Sequence, residues 1–547
     1  MRLVRALRNM LREAARNPLW AIISLALAPF RAGMWLLWAT LTAVVVWGVF
    51  GLTAEFTLWY FDFTKADLLY RLVMYANAGI ALAVLAGLTV VPLLARFASY
   101  GDEPTHGSAR FATPAETRPL TQRAGLLIGR DLKSGRALRY AGPAHLLTIA
   151  PTRTGKGVGT IIPNLLTYPG PVVCIDPKGE NARVTARRRA RFGPVHVLDP
   201  FGVTGLPSGA FNPLDRIEPH GMDFADDTMT LADALVFDPP GEGGDAHWNE
   251  EAKALINGLL MHTVIAGSAG SASLATLREA LTLPPAAFAD LLATMQAEGG
   301  LVARAANRHL GKSDREASGV LSAAQRHTHF LDSPRMTTVL GQSDFAFADM
   351  KRASVTLYLV LPPDRIASYA RWLRLMVAQA LTDLARAPSQ PTSPILFLLD
   401  EFAALGRLDP VERAMGLMAG YGIQLWPILQ DVHQLRALYD RRAGTFLSNA
   451  GVLQVFGVND HDSAEMVSDL LGEGTVVFQT MSRALYAKAT GMSYASQHVG
   501  RSLLTPDEVR TLPSDRELLF LAGQRPIVAS KLRYYADREF AGLYDPA

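Results

Sequence analysis

Residues 150–159 read APTRTGKGVG. A Gly-Lys pair in a glycine-rich turn is suited to holding phosphate, and the usual pattern is G-x-x-x-x-G-K-[ST]. Here Ala150 fills the first glycine slot and Gly157 the last, while Gly155 and Lys156 are kept. In such a loop Thr152, Arg153, Thr154, Gly155, Lys156, Gly157 and Val158 surround the phosphates. Successive backbone N–H groups and a helix N-terminus point at the anion, and Lys156 reaches its outer oxygens. Ala150 adds one methyl group. Gly157 removes the hydroxyl that normally binds Mg²⁺, leaving Thr154, Thr160 or a water as alternatives. A second group of residues lies far downstream. PILFLLDEF (394–402) is an apolar run, Ile395 to Leu399, ending in Asp400-Glu401. That is the Walker B pattern: Asp400 to hold Mg²⁺ and Glu401 to orient or deprotonate the attacking water. Gln430 ends the run IQLWPIL, either as a sensor of the γ-phosphate or as a turn amide. A further apolar run ends in Asp176-Pro177-Lys178. Together these residues predict a P-loop ATPase using ATP and Mg²⁺, with Lys156, Glu401 and Gln430 as its reactive side chains.

Elements must bring these residues together. HLLTIA (145–150), PVVCID (171–176), VHVLD (195–199), SVTLYLVL (354–361), PILFLLD (394–400), IQLWPIL (423–429) and VLQVFGV (452–458) read as strands alternating with helices. That alternation predicts a mostly parallel α/β sheet covered on both faces, with its ligand at the carboxyl ends of the strands. Pro163 should kink the helix after the loop, and Pro427 should make its strand irregular or place it near an edge. From 225 to 345 the strand signal stops, and HWNEEAKALINGLLMHTVIAG and REASGVLSAAQRHTHFL read as helices. The expected plan is a nucleotide-binding domain in two parts, 101–224 and 346–547, with an all-α domain at 225–345 inserted between them.

Residues 1–100 read as a membrane anchor. Met34–Ala54 and Leu72–Ala95 carry no charge over 21 and 24 residues, each long enough to cross about 30 Å of hydrocarbon. Arg2, Arg5, Arg8, Arg12, Arg16 and Arg31 precede the first span and Arg96 follows the second. The positive-inside rule then places both termini in the cytoplasm and a short loop outside. A cleaved signal peptide is the rival reading; Pro29 just after the candidate cut and the two later spans weigh against it.

Composition excludes little else. A net charge of +3 over 547 residues neither argues for nor excludes nucleic acid. The single cysteine, Cys174, excludes an intrachain disulfide and reads as a small buried apolar residue. Arg183, Arg187, Arg188, Arg189 and Arg191 point around their helix and read as a solvated face. The histidines lack metal-ligand spacing.

APTRTGKGVG, IDPKGE (175–180), the DP of 199–200, NPL (212–214), LYLVLPPD (357–364), LLDEFAALG (398–406), GYGIQLWPILQD (420–431) and LLTPDEV (503–509) together resemble the TraG/VirD family. These are the coupling proteins of conjugation and type IV secretion. GSARFAT (107–113) resembles the family's post-membrane segment. The resemblance implies a RecA-like and FtsK-like P-loop fold, a cytoplasmic all-α insertion and a homohexamer on the bacterial inner membrane. It implies a multi-pass protein that uses ATP to pass single-stranded DNA with its relaxase, or protein effectors, from the relaxosome to the secretion channel. By position Lys156 and its neighbours are similar to Walker A, Asp400 and Glu401 to Walker B, and Gln430 to the family's strand-end glutamine. Gly157 is common among TraG-like members. Two alternatives stay open: an FtsK-like DNA translocase, and a nucleotide-binding docking receptor without strong hydrolysis, which Gly157 favours.

Overall fold

The computed structural model describes residues 28–60, 68–98, 105–237, 246–267, 272–483 and 492–547. The chain forms two compact units, one of residues 1–106 with 475–499, the other of 107–474 with 500–547.

In the first unit, helices Ala28–Tyr60 and Leu68–Ala98 pack side by side. Among the described residues, one stretch, Leu36–Tyr60, is long and apolar enough to cross a membrane. Its Leu36, Leu37, Val44 and Trp47 side chains are exposed, as a lipid-facing surface requires. The span expected at 34–54 falls in this helix. That expected at 72–95 falls in the second helix, whose apolar stretch Arg71–Val84 is shorter.

The second unit is built on an eleven-stranded sheet. Its strands are β1 (Leu126–Asp131), β2 (Ala137–Tyr140), β3 (His145–Ile149), β4 (Val172–Asp176), β5 (Val195–Leu198), β6 (Thr356–Val360), β7 (Ile395–Leu399), β8 (Ile423–Leu429) and β9 (Ala450–Val455), with β12 (Arg516–Leu521) and β13 (Ile527–Ser530). Between β9 and β12 in sequence, β10 (Glu473–Arg483) and β11 (Met492–Ser502), most of which belongs to the first unit, pair in a separate two-stranded sheet. The order is β2-β1-β13-β12-β9-β3-β8-β7-β4-β6-β5. From β9 to β5 all pairings are parallel. From β9 outward through β12, β13, β1 and β2 they are antiparallel. The seven strand-like runs form the parallel part. The sequence does not signal the antiparallel extension, because β1, β2 and β12 interleave charges with short apolar runs and β13 is only four residues long.

Strand alternation divides each apolar run between two cores. Leu147, Val173, Ile175, Leu357, Leu359, Phe397 and Leu399 pack on one face. Leu146, Val172, Cys174, Tyr358, Leu396, Leu398 and Trp426 pack on the other. The first core continues without a break into the helices between β5 and β6, from Phe224–Leu235 through Pro334–Val339. Among the described residues of that interval there are helices, turns and loops only.

Two expectations need correction. Pro427 is not near an edge: β8 lies between β3 and β7. The irregular half of the expectation fits, since β3 and β8 pair only at Thr148–Ile428 and Ile149–Leu429. Upstream of the proline, the Leu425 N–H donates to Nδ1 of His145 instead (3.0 Å). The arginine run is a solvated face only in part, since Arg187 and Arg191 are exposed but one member is not. Arg189 is fully buried. It donates to Thr356 Oγ1 at 2.8 Å, to the Gly170 carbonyl at 2.6 Å and to the Tyr168 carbonyl. Those carbonyls end the helix after the P-loop and its following turn, so a guanidinium takes up acceptors that the chain itself leaves open.

Candidate functional site

The loop between β3 and its helix carries the Gly-Lys pair. Arg153 (φ 63°) and Gly155 (φ 92°) both have left-handed backbone. Alternating handedness turns successive N–H groups into one concavity, an anion nest. The helix then begins as a widened turn, Gly157–Ile161, and becomes α-helical at Ile162–Thr167. The wide turn accommodates Pro163, whose ring would clash with a regular preceding turn. Asn164 locks this helix to β1, accepting from the Leu127 N–H at 2.8 Å and donating to the Leu127 carbonyl at 2.9 Å.

β8 separates β3 from β7, so the ends of all three strands meet at one edge. There Nζ of Lys156 lies 2.9 Å from Oδ1 of Asp400 and 2.6 Å from Oε1 of Glu401. Nε2 of Gln430 donates to Oε2 of Glu401 at 3.1 Å. The Gln430 side chain therefore faces the Glu401 carboxylate. Glu401 takes left-handed backbone, φ 52° and ψ 43°. A non-glycine residue there costs about 1–3 kcal/mol and persists where its surroundings fix it.

Burial pushes the Asp400 carboxyl above the usual range, against the pull of Lys156. Burial opposes charge on Glu401 too, but the bonds from Lys156 and Gln430 outweigh it and hold that carboxyl below its usual value. Lys156 is likewise desolvated, yet the two carboxylates raise its pKa and keep it charged. Asp176, at the end of β4, is pushed up to about 6 by burial, despite accepting from backbone N–H groups that include Ala182 (2.8 Å).

A cleft of about 370 Å³ opens over these groups. Thr152, Arg153, Gly155, Lys156, Gly157, Val158, Asp400 and Glu401 line it, with Asp176, Pro177, Lys178, Glu180 and Asn181 opposite. Thr154 and Gln430 are not part of this lining. Asn181 was not singled out from sequence, although it directly follows the IDPKGE motif that enters the cleft.

The candidates for the missing hydroxyl are already engaged. Thr154 Oγ1 donates to the Pro151 carbonyl at 2.6 Å. Thr160 is fully buried and donates to Gln454 Oε1 at 3.0 Å. Gln454 also accepts from Thr148 (2.8 Å) and donates to Glu517 Oε2 (2.7 Å). Burial pushes the Glu517 carboxyl far above its usual range. Lys531, just after β13, donates to the Thr154 carbonyl at 3.1 Å and ties the loop to the C-terminal segment. Sequence reasoning missed Gln454, Glu517 and Lys531, which belong to none of the functional motifs it singled out.

The parallel core with a Gly-Lys loop, strand-end carboxylates and a glutamine between them defines a RecA-like P-loop protein. A family model for type IV secretory system conjugative DNA transfer matches residues 115–544. The chain is similar to the conjugal transfer protein TraG of Escherichia coli, 29% identical over 523 residues, covering 84% of this chain and 80% of that one. It is 30% identical over 498 residues to the protein VirD4 of Rhizobium rhizogenes, covering 85% and 71%. Its fold is similar to that of the bacterial conjugative coupling protein TrwB lacking an N-terminal segment: TM-score 0.62, 20% identity, covering 79% of this chain and 95% of that one. Other forms of TrwB were solved with the ATP analogue ADPNP and with ADP and Mg²⁺. The chain belongs to the type IV secretory system conjugative DNA transfer family, that of the TraG and VirD4 coupling proteins.

Proposed function

We propose that this chain is the ATPase of a type IV secretion or conjugation system, recruiting single-stranded DNA with its relaxase, or protein effectors, to the channel. The observation that carries the reading is the constellation of Lys156, Asp400, Glu401 and Gln430 around one cleft at the carboxyl ends of β3, β7 and β8. The phosphates of ATP lie in the nest of Thr152 to Val158, where backbone N–H groups and the helix N-terminus take up their charge. Lys156 turns from the carboxylates to the outer phosphates, and Glu401 is thereby free to accept a proton from the attacking water. Gln430, bonded to Glu401, registers the change at the γ-phosphate.

The donor set fits Mg²⁺. Two carboxylates already share one cation here, and a hard divalent ion takes oxygen ligands. Asp400 is the residue to hold it, and the ion would neutralise charge on the phosphate oxygens. At Gly157 a Cβ would meet nothing within 4 Å, so space remains on that side for a water ligand.

The reading extends to the whole chain. Residues 101–224 and 346–547 form the nucleotide-binding domain, 225–345 the all-α domain, and 1–100 a membrane anchor. The anchor crosses the inner membrane at about 34–54 and 72–95, with both termini cytoplasmic and six copies in a ring. The test is steady-state ATP hydrolysis by the full chain in detergent, with and without single-stranded DNA. Turnover that rises with DNA and vanishes in Lys156→Ala and Glu401→Gln supports the motor. Nucleotide binding with no turnover in an intact oligomer supports the docking receptor instead.

A further inference from the structure

Beyond Glu401 the chain makes one short helical turn, Phe402–Leu405, and then reverses at Gly406. That glycine has φ +68°, and a Cβ on it would collide with the Phe237 ring. On either side of it, the carbonyls of Leu405 and Arg407 accept from the same nitrogen, Nη1 of Arg374, at 2.8 and 2.6 Å. The guanidinium carbon of Arg374 lies 3.8 Å from the centroid of the Phe237 ring. Arg374 is only 6% exposed, and burial pushes its pKa down to about 10. Its Nε finds no hydrogen-bond partner. Merely to fill this space, a leucine or methionine would avoid the cost of desolvating a cation. What an arginine adds is a planar fork that holds two carbonyls while stacking on a ring.

Three segments meet at this side chain. Arg374 belongs to the helix Pro363–Arg386. Phe237 follows Phe224–Leu235, the first of the helices between β5 and β6. The loop it grips begins at the catalytic carboxylates. That loop is fixed at both ends as well, since Phe402 stacks on Tyr439 and the Leu408 N–H donates to the Tyr439 hydroxyl at 3.2 Å. A single tight turn rising about 2 Å per residue therefore links Glu401 rigidly to Gly406. A shift of Glu401 cannot be absorbed along the way and reaches Arg374 and Phe237.

We propose that Arg374 is a positioning residue: it fixes the backbone that carries Glu401 and passes the state of the nucleotide cleft to the helical segment through Phe237. The proposal rests on the ATPase reading of that cleft. It is tested on the full chain in detergent with Arg374→Met, Arg374→Lys and Phe237→Leu. Three quantities are measured: affinity for a non-hydrolysable ATP analogue with Mg²⁺, turnover, and hydrogen exchange in helices 246–339 with and without that analogue.

Arg374→Met should lower kcat by about tenfold or more while analogue affinity changes by less than about threefold. It should also erase the analogue-dependent change in exchange. Arg374→Lys should not rescue it, because one ammonium cannot hold both carbonyls and stack. Combined with Phe237→Leu the losses should be non-additive, as for residues sharing one contact. Turnover and exchange like those of the unaltered chain would overturn the proposal. So would affinity and turnover falling in step with Tm, the mark of a purely structural role. If the unaltered chain binds the analogue but does not hydrolyse ATP, the ATPase reading fails by itself, and exchange still decides the matter. An analogue effect abolished by Arg374→Met supports the relay, and no analogue effect in the unaltered chain overturns it.

Discussion

Replacing Lys156 with alanine tests the centre of the site through stability as well as binding. The ammonium sits between Asp400 and Glu401, and the three side chains are 15%, 13% and 28% exposed. Removing one partner of a buried ion pair costs roughly 3–5 kcal/mol, because the other charge is stranded. Both carboxylates keep one hydrogen bond: Glu401 from Gln430 at 3.1 Å, Asp400 from the Glu401 N–H at 3.0 Å. We therefore take the lower end, about 3 kcal/mol, which for a unit of this size lowers Tm by about 3 °C. The deficit should depend on pH. Without the lysine, the Asp400 carboxyl, already held high by burial, rises further. A carboxyl whose folded pKa exceeds its unfolded one contributes stability at acid pH and loses it as pH rises through the folded value. The variant's deficit should therefore be small in acid and largest at neutrality. Adding Glu401→Gln removes one stranded charge and should recover about 1–2 kcal/mol, a coupling that a double-mutant cycle reads directly. Thermal unfolding of the full chain from acid to neutral pH is the assay. With ATP at about 100 times its Kd, the unaltered chain should gain about 2.7 kcal/mol and the variant nothing. A variant within about 1 °C of the unaltered chain at neutral pH, or a strictly additive cycle, would refute the shared-cation geometry.

Glu401→Gln should lower turnover by about 10²–10⁴-fold with nucleotide binding retained, the signature of a lost general base, measured as kcat beside Kd. Gly157→Ser should fold normally, since its Cβ meets nothing within 4 Å. It should lower the Mg²⁺ concentration needed for half-maximal nucleotide binding, and an unchanged Mg²⁺ titration would show that the hydroxyl has no place there. Asp176 has a folded pKa of about 6, raised by burial. Its contribution is therefore full below the unfolded value and is lost as pH rises through 6. Asp176→Asn should accordingly gain up to about 3 kcal/mol relative to the unaltered chain between pH 4 and 7, read by denaturant unfolding at each pH.

The residues of the cleft were legible because their chemistry demands local pattern. A phosphate loop needs glycine at left-handed positions and a lysine beside them; a metal-binding strand end needs an apolar run followed by acids. The seven parallel strands were legible because burial on both faces makes each a mostly apolar run. The same logic failed for β1, β2 and β12, whose antiparallel pairing tolerates charges, and for the four-residue β13. It failed again for Arg189, because nothing local tells a guanidinium that will sink onto the Gly170 and Tyr168 carbonyls from one that will face water.

The linear chain determined which residue types can bind phosphate and act as base, and that strands should carry them to one edge. It could not determine partnership. That Lys156 is shared by Asp400 and Glu401, and that Gln430 bonds Glu401, follows from β8 entering the sheet between β3 and β7. That Thr160 faces Gln454 and Glu517, away from the cleft, depends on β9 and β12 being neighbours. These contacts join residues 29 to 294 positions apart. Strand order is a property of the packed sheet, and only packing decides which strand ends become neighbours.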